Sequence, residues 1–166
     1  MKIIAIAAMT RNRIIAVCGQ MPWQCSPDMK FFKETTTGYP VIVGRQTLED
    51  MGGHPLPNRH TIILTRKQHY AAFGNSDVAS NVREAISKAY RYCELNNLDR
   101  CYVIGGEQVY KAFELYIDKM LLSVINGDYL DDELLLMANS GGKALKINYM
   151  PHEILNKDNV EYRYYE

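Results

Sequence analysis

The chain has 166 residues, enough for one domain that hides roughly 70% of its unfolded surface without a metal or disulfide. Its 19 basic side chains balance 19 acidic ones and no basic run occurs, which argues against nucleic-acid binding, where affinity rests on concentrated positive charge. Cys18, Cys25, Cys93 and Cys101 show no CxxC spacing, so they read as reduced, half-buried thiols rather than metal ligands or a disulfide framework.

The apolar run Ile3–Met9 is too short to span a membrane, and Arg11 and Arg13 follow it where a signal peptide would carry a cleavage site. It predicts a strand, Lys2–Met9, buried on both faces in a cytoplasmic protein. Small residues at its end leave room for something flat to approach the backbone. Thr10–Gln24 has no helical period, contains Gly19 and Pro22, and predicts a long functional loop. Ser26 is the predicted N-cap of a helix reaching Thr36, with Pro27 at its first position. Asp28 and Phe32 then share a face, with Met29 and Lys33 beside them. Asp28 has two readings: an acid serving the helix dipole, or a carboxylate turned into a pocket.

Val41–Val43 predicts a second buried strand and Gln46–Met51 a short helix closed by Gly52-Gly53. A proline-stiffened loop, His54–Arg59, leads to a strand over Thr61–Thr65. A weaker strand at Asp77–Ala79 precedes a helix from Val82 to Glu94, whose apolar face is Ala85, Ile86, Ala89 and Tyr90. Cys101–Ile104 predicts a strand, Glu107–Glu114 a helix and Lys119–Ile125 a strand. Asp131-Asp132-Glu133 reads as a solvated acidic loop, and Ala144–Tyr165 as two strands broken near Asn156-Lys157-Asp158. Strands alternating with helices predict a single α/β domain over the whole chain, with flanking helices and a mainly parallel central sheet carrying an antiparallel C-terminal edge.

Three strand ends have two readings each, a ligand-binding one and a plainer one of a tight turn or surface cations; three in one domain favour the first. Gly105-Gly106-Glu107-Gln108 opens a helix where free N–H groups and the dipole favour an anion, although the dinucleotide fingerprint is absent. Gly44-Arg45-Gln46-Thr47 and Thr65-Arg66 place cations and hydroxyls at neighbouring ends, where open α/β sheets gather ligands. Arg59 follows Leu56-Pro57-Asn58, a stiff loop that fixes its direction and suits a carboxylate partner.

In this order, Ile6-Ala7-Ala8, Met21-Pro22-Trp23, Asp28 with Phe32, Gly44–Thr47, Leu56–Arg59, Ile62–Arg66 and Val103–Tyr110 resemble dihydrofolate reductase over roughly the first three quarters of the chain. The resemblance implies NADPH along the sheet's carboxyl edge and dihydrofolate as substrate. Charge balance, cysteine spacing and the short apolar run already argue against nucleic-acid, metal and membrane partners, and with no oligomer signal in the sequence a monomer is the default. The resemblance further implies that Asp28 holds the pteridine, with Trp23 and a water beside it and Ser123 behind it where the family usually has Thr. Ile6, Ala7, Met29, Phe32, Met51, Leu56 and Ile104 become apolar walls, Lys33 and His54 lie near the substrate tail, and Arg59 grips its α-carboxylate. Ala8, Ile15, Ala16, Gln20 and Met21 border the nicotinamide. Gly44, Arg45, Gln46, Thr47, Thr65 and Arg66 take the adenine-side phosphates. Gly105, Gly106, Glu107, Gln108 and Val109 meet the pyrophosphate, and Tyr110 approaches the nicotinamide edge.

The resemblance also implies a cis Gly105–Gly106 bond. Departures fall at Ala16, a glycine in many members, at Asp131, and at His54, where one extra residue replaces a frequent arginine. Two other readings compete: a related reductase of a riboflavin-pathway pyrimidine, disfavoured by Asp28 with Phe32, and a non-catalytic binding or structural domain.

Overall fold

The computed structural model describes residues 1–127, 146–151 and 159–166. In chain order the elements are β1 (Lys2–Thr10), β2 (Ile14–Val17), α1 (Ser26–Thr36), β3 (Val41–Gly44), α2 (Arg45–Asp50), β4 (Thr61–Leu64), β5 (Ser76–Ala79), α3 (Val82–Asn96), β6 (Arg100–Val103), α4 (Glu107–Ala112), a 3-10 turn (Glu114–Tyr116), β7 (Lys119–Ile125), β8 (Ile147–Tyr149) and β9 (Val160–Tyr165).

Seven strands form one sheet in the order β5-β4-β3-β6-β1-β7-β9, and every pairing within it is parallel. The antiparallel edge is the separate pair β2–β8, while β9 runs parallel to β7. Branched apolar runs dictate the centre. Val41, Ile42, Val43, Ile62 and Ile63 are fully buried, which fits strands covered on both faces, and each such side chain contributes about 1.5–3 kcal/mol. The chain first walks outward from β1 through β3, β4 and β5. It then returns to insert β6 beside β1, so the order reverses at the β6–β1 seam. Such reversal points are where open α/β sheets leave a crevice for ligands.

Several predicted boundaries shift. Ser26 does not cap α1: Cys25 occupies the cap position in extended conformation, no side chain caps the helix, and Pro27 falls at its second residue. The Thr10–Gln24 segment is not all loop, because Ile14–Val17 pairs with β8, with a register irregularity between Ile14 and Ala16. That pairing spans most of the chain, beyond the reach of local periodicity. The apolar face of α3 buries Ala85, Ala89 and Cys93, whereas Tyr90 is exposed. Asn81 caps α3 through its side chain, and Asn97 ends it in the left-handed conformation. The acidic trio Asp131–Glu133 and the break near residues 156–158 lie outside the described residues. Cys93 and Cys101 are buried and Cys18 is exposed, and all four cysteines are free.

Candidate active site

Helix α1 lies on the sheet through Phe31 and Phe32, which pack with Tyr39 and Ile104 against Ile4, Ile6, Val41, Tyr102 and Leu121. Asp28 is one turn earlier on this face, three residues before Phe31 and four before Phe32. It is buried, with 8% of its surface exposed, although it sits in the helix's first turn. The second reading of Asp28 therefore describes its place. Its carboxylate accepts a hydrogen bond from Ser123, which is buried on β7 and registered with Ala8 of β1.

Burial pushes the Asp28 carboxyl above its ordinary value, and the Ser123 bond pulls it back only in part. Trp23 is buried in the segment that leads into α1. A buried, hydrogen-bonded acid thus sits at the end of the central strands. It can hold a group that presents paired donors.

Arg59 is held as its stiff loop predicts. Asn58 takes the left-handed conformation at φ 57°, and the side chain behind it turns inward until only 5% of Arg59 is exposed. Nε donates to the Pro57 carbonyl at 2.9 Å and Nη1 to the Thr36 hydroxyl at 3.1 Å, while that hydroxyl donates to the Phe32 carbonyl at 2.8 Å. The guanidinium also lies over the Phe32 ring, 5.9 Å from its centroid. Desolvation lowers its pKa, but a guanidinium starts high enough to stay charged. Thr36 is an anchor that sequence reasoning missed. Its only signal was a hydroxyl at the last helical position.

Next to the reversal seam the ends of β3 and β6 are tied together, with Gly44 N–H donating to the Gly105 carbonyl at 2.9 Å. The Gly105–Gly106 bond is cis, as the resemblance implied. At Gly44 and Gly106 a side chain would collide with a neighbour. A Cβ on Gly106 would lie 2.7 Å from Thr47 Oγ1, and one on Gly44 would lie 2.9 Å from Val109 Cγ2. Both α2 and α4 start at these glycines without a side-chain cap. Two sets of free N–H groups therefore open side by side at one sheet edge, a donor set that fits the phosphates of a dinucleotide. Tyr110 closes the seam from below. It is buried, its hydroxyl donates to the Ile6 carbonyl at 2.7 Å, and burial holds its pKa well above the ordinary phenol value.

The remaining candidates are less tightly placed. Arg45 pairs with Glu49 one turn along α2, Nη1 lying 2.8 and 2.9 Å from the two carboxylate oxygens. Arg66 is exposed, whereas Thr65 is buried and accepts from the Lys67 N–H. Gln46 and Gln20 both reach Asp50, the first at its carboxylate (3.2 Å) and the second at its carbonyl (3.0 Å), which joins the loop after β2 to α2. Asp50 was not among the predicted site residues, and no local signal marked it.

Met21, Met29 and Met51 are exposed, as are Lys33 and Gln108. The methionines are therefore not packed as core. His54 is exposed too, edge-on to Phe73 at 6.2 Å. Ala7, Ala8, Ile15, Leu56 and Ile104 are half-buried, and Ala16 sits in the paired strand β2. Glu107 accepts from Asn148 of β8 at 2.8 Å, a tie between the small sheet and the start of α4 that the sequence did not reveal.

The family model for dihydrofolate reductase matches residues 2–160. A dihydrofolate reductase from Staphylococcus haemolyticus is 34% identical over 139 residues, covering 84% of this chain and 79% of the relative. One from Bacillus subtilis is 32% identical over 127 residues, covering 76% and 71% respectively. Among solved structures, dihydrofolate reductase from Enterococcus faecalis, complexed with NADP(H) and the ligand RAB-propyl, superposes with a TM-score of 0.63. It shares 33% identity over 72% of this chain and 67% of its own. With a family model spanning nearly the whole chain and relatives above 30% identity over most of it, this protein belongs to the dihydrofolate reductase family.

Proposed function

We propose that this chain is an NADPH-dependent reductase that converts 7,8-dihydrofolate to 5,6,7,8-tetrahydrofolate, supplying one-carbon metabolism and thymidylate synthesis. The observation that carries the reading is the buried Asp28–Ser123 pair on a sheet whose β3 and β6 ends open into two uncapped helix starts. When bound, NADPH supplies the hydride. The glycines at 44, 105 and 106 give its phosphates access to backbone N–H groups, and Thr47, Thr65 and Arg66 add hydroxyl and guanidinium donors. Asp28 holds the pteridine's amino group and ring nitrogen through two parallel bonds, and Ser123 fixes the carboxylate's rotation. The proton for the ring nitrogen arrives through water near Trp23, with Asp28 stabilising the positive charge as it develops. Ile6, Ala7, Phe32, Leu56 and Ile104 exclude bulk water from the ring, with the exposed methionines at 29 and 51 closing over the ligand. Arg59 presents its remaining edge to the substrate's α-carboxylate.

The reading includes a single catalytic domain that acts as a monomer in the cytoplasm. None of the described helices is long and apolar enough to cross a membrane. Loss of NADPH absorbance on adding dihydrofolate to purified protein tests it. Protein that binds NADPH yet oxidises none above background sinks the enzyme reading, and a riboflavin-pathway pyrimidine in the same assay separates the related reductase. Arg66 carries a narrower expectation. Arg66→Ala should raise KM for NADPH roughly tenfold, the loss of about one charge-assisted hydrogen bond, and leave KM for NADH nearly unchanged. Equal effects on both cofactors would remove Arg66 from recognition of the extra phosphate.

A further inference from the structure

The two phenylalanines of α1 are each capped by an arginine from a different part of the chain. Phe32 lies under Arg59, and Phe31 lies under Arg163 of β9, whose guanidinium carbon is 3.9 Å from the ring centroid. Arg163 is registered with Ser123 on the neighbouring strand, so the two side chains leave the same face of the sheet toward α1. Arg163 and Asp28 therefore bracket Phe31: one binds its ring, the other sits one turn before it and bonds to Ser123.

The guanidinium is anchored from outside. Nη2 donates to Glu161 at 2.6 Å, and Glu161 pairs with Lys119 of β7 at 2.8 Å. Its Nε is buried and has no hydrogen-bond partner among the described residues. The Phe31 ring and the Glu161 carboxylate hold the guanidinium in place.

Resting on the reductase reading, we infer that Arg163 is a positioning residue for substrate binding: stacked on Phe31, it fixes the rotation of α1 about its axis so that Asp28 meets Ser123 and faces the ligand. A helix lying on a sheet can roll, and a roll of a few degrees displaces a first-turn carboxylate relative to a bidentate partner. With one arginine on each of two adjacent phenylalanines, the helix is clamped from both sides. Arg163 acts on the site through Phe31.

The test uses the full chain, with dihydrofolate affinity read from the fluorescence of Trp23, the only tryptophan, and turnover from NADPH oxidation. Arg163→Met keeps the stem and removes the cation, and Phe31→Leu removes the ring. Each should weaken dihydrofolate binding about fivefold while NADPH affinity stays within about twofold, the range one cation–π contact covers. The double variant should be no worse than the poorer single one, and Arg163→Lys should recover most of the loss.

Dihydrofolate affinity within twofold of the unmodified chain in either single variant overturns the inference, as do multiplicative losses in the double variant. Equal losses for NADPH, which mark general destabilisation, also overturn it. If the double variant does not fold, the single variants and the lysine variant decide. An unmodified chain that neither binds nor reduces dihydrofolate overturns the underlying reading instead.

Discussion

Asp28→Asn should leave a protein that binds NADPH normally, is more stable at neutral pH, and turns over dihydrofolate on the order of 100-fold or more slowly. The rate loss follows from charge. Asparagine keeps the shape but offers one acceptor where a carboxylate offers two, and it cannot stabilise a pteridine as its ring nitrogen gains a proton. Activity should return in part at acid pH, where dihydrofolate acquires its proton from solvent. An unchanged rate at pH 7 would remove Asp28 from the mechanism.

The stability gain follows from the same burial. Desolvation raises the Asp28 pKa above its unfolded value, so the native state binds the proton more tightly than the unfolded chain does. The contribution to stability is thus fully present below the ordinary aspartate value of about 3.9. It declines as pH rises through the folded pKa, and above that an ionised carboxylate is held where water cannot reach it well. Asparagine pays no such charge penalty. The thermal midpoint of Asp28→Asn should therefore exceed that of the unmodified chain at pH 7, and the difference should shrink toward pH 4. A difference that grew on acidification would mean that Asp28 is not destabilised by burial.

What could be read before the fold was known divides by range. The capped and punctuated pieces were legible because their signals are local. Proline-leucine-proline fixes the loop before Arg59, a double glycine follows β6, and glycine then arginine follows β3. Their convergence also followed, since parallel strands in one sheet bring their carboxyl ends to one edge.

The electrostatic state of Asp28 was not legible, because burial and helix terminus oppose each other. The outcome depends on Ser123, which reaches it from a strand near the other end of the chain. The pairing of Ile14–Val17 with β8 was missed for the same reason. Arg45 shows a different limit. Its partner Glu49 is four residues away and visible in the sequence, yet that spacing alone does not say whether the pair forms, and the structure forms it. The cap of α1 failed by one residue, the usual precision of a boundary drawn from Ser-Pro alone.

Arg59 should separate substrate binding from chemistry. Its guanidinium spends Nε on Pro57 and Nη1 on Thr36, which aims what remains while leaving it charged. A charge-assisted bond to a carboxylate contributes about 1.5–3 kcal/mol, so Arg59→Ala should raise KM for dihydrofolate roughly 10- to 100-fold. The tail it grips lies away from the reacting ring, so kcat should change by no more than about threefold, the mark of binding energy common to ground and transition states. Arg59→Lys should recover little. An ammonium is a point charge without the fork that serves Pro57, Thr36 and a carboxylate together.

A second route for the loss exists, because Arg59 also covers Phe32 and holds the last turn of α1 through Thr36. A pteridine substrate that lacks the glutamate tail distinguishes the two. If Arg59 acts on the carboxylate, the unmodified chain and Arg59→Ala should reduce that truncated substrate with similar kcat/KM. An equal loss on both substrates would show that the arginine works by holding the helix, and the carboxylate role would then fall.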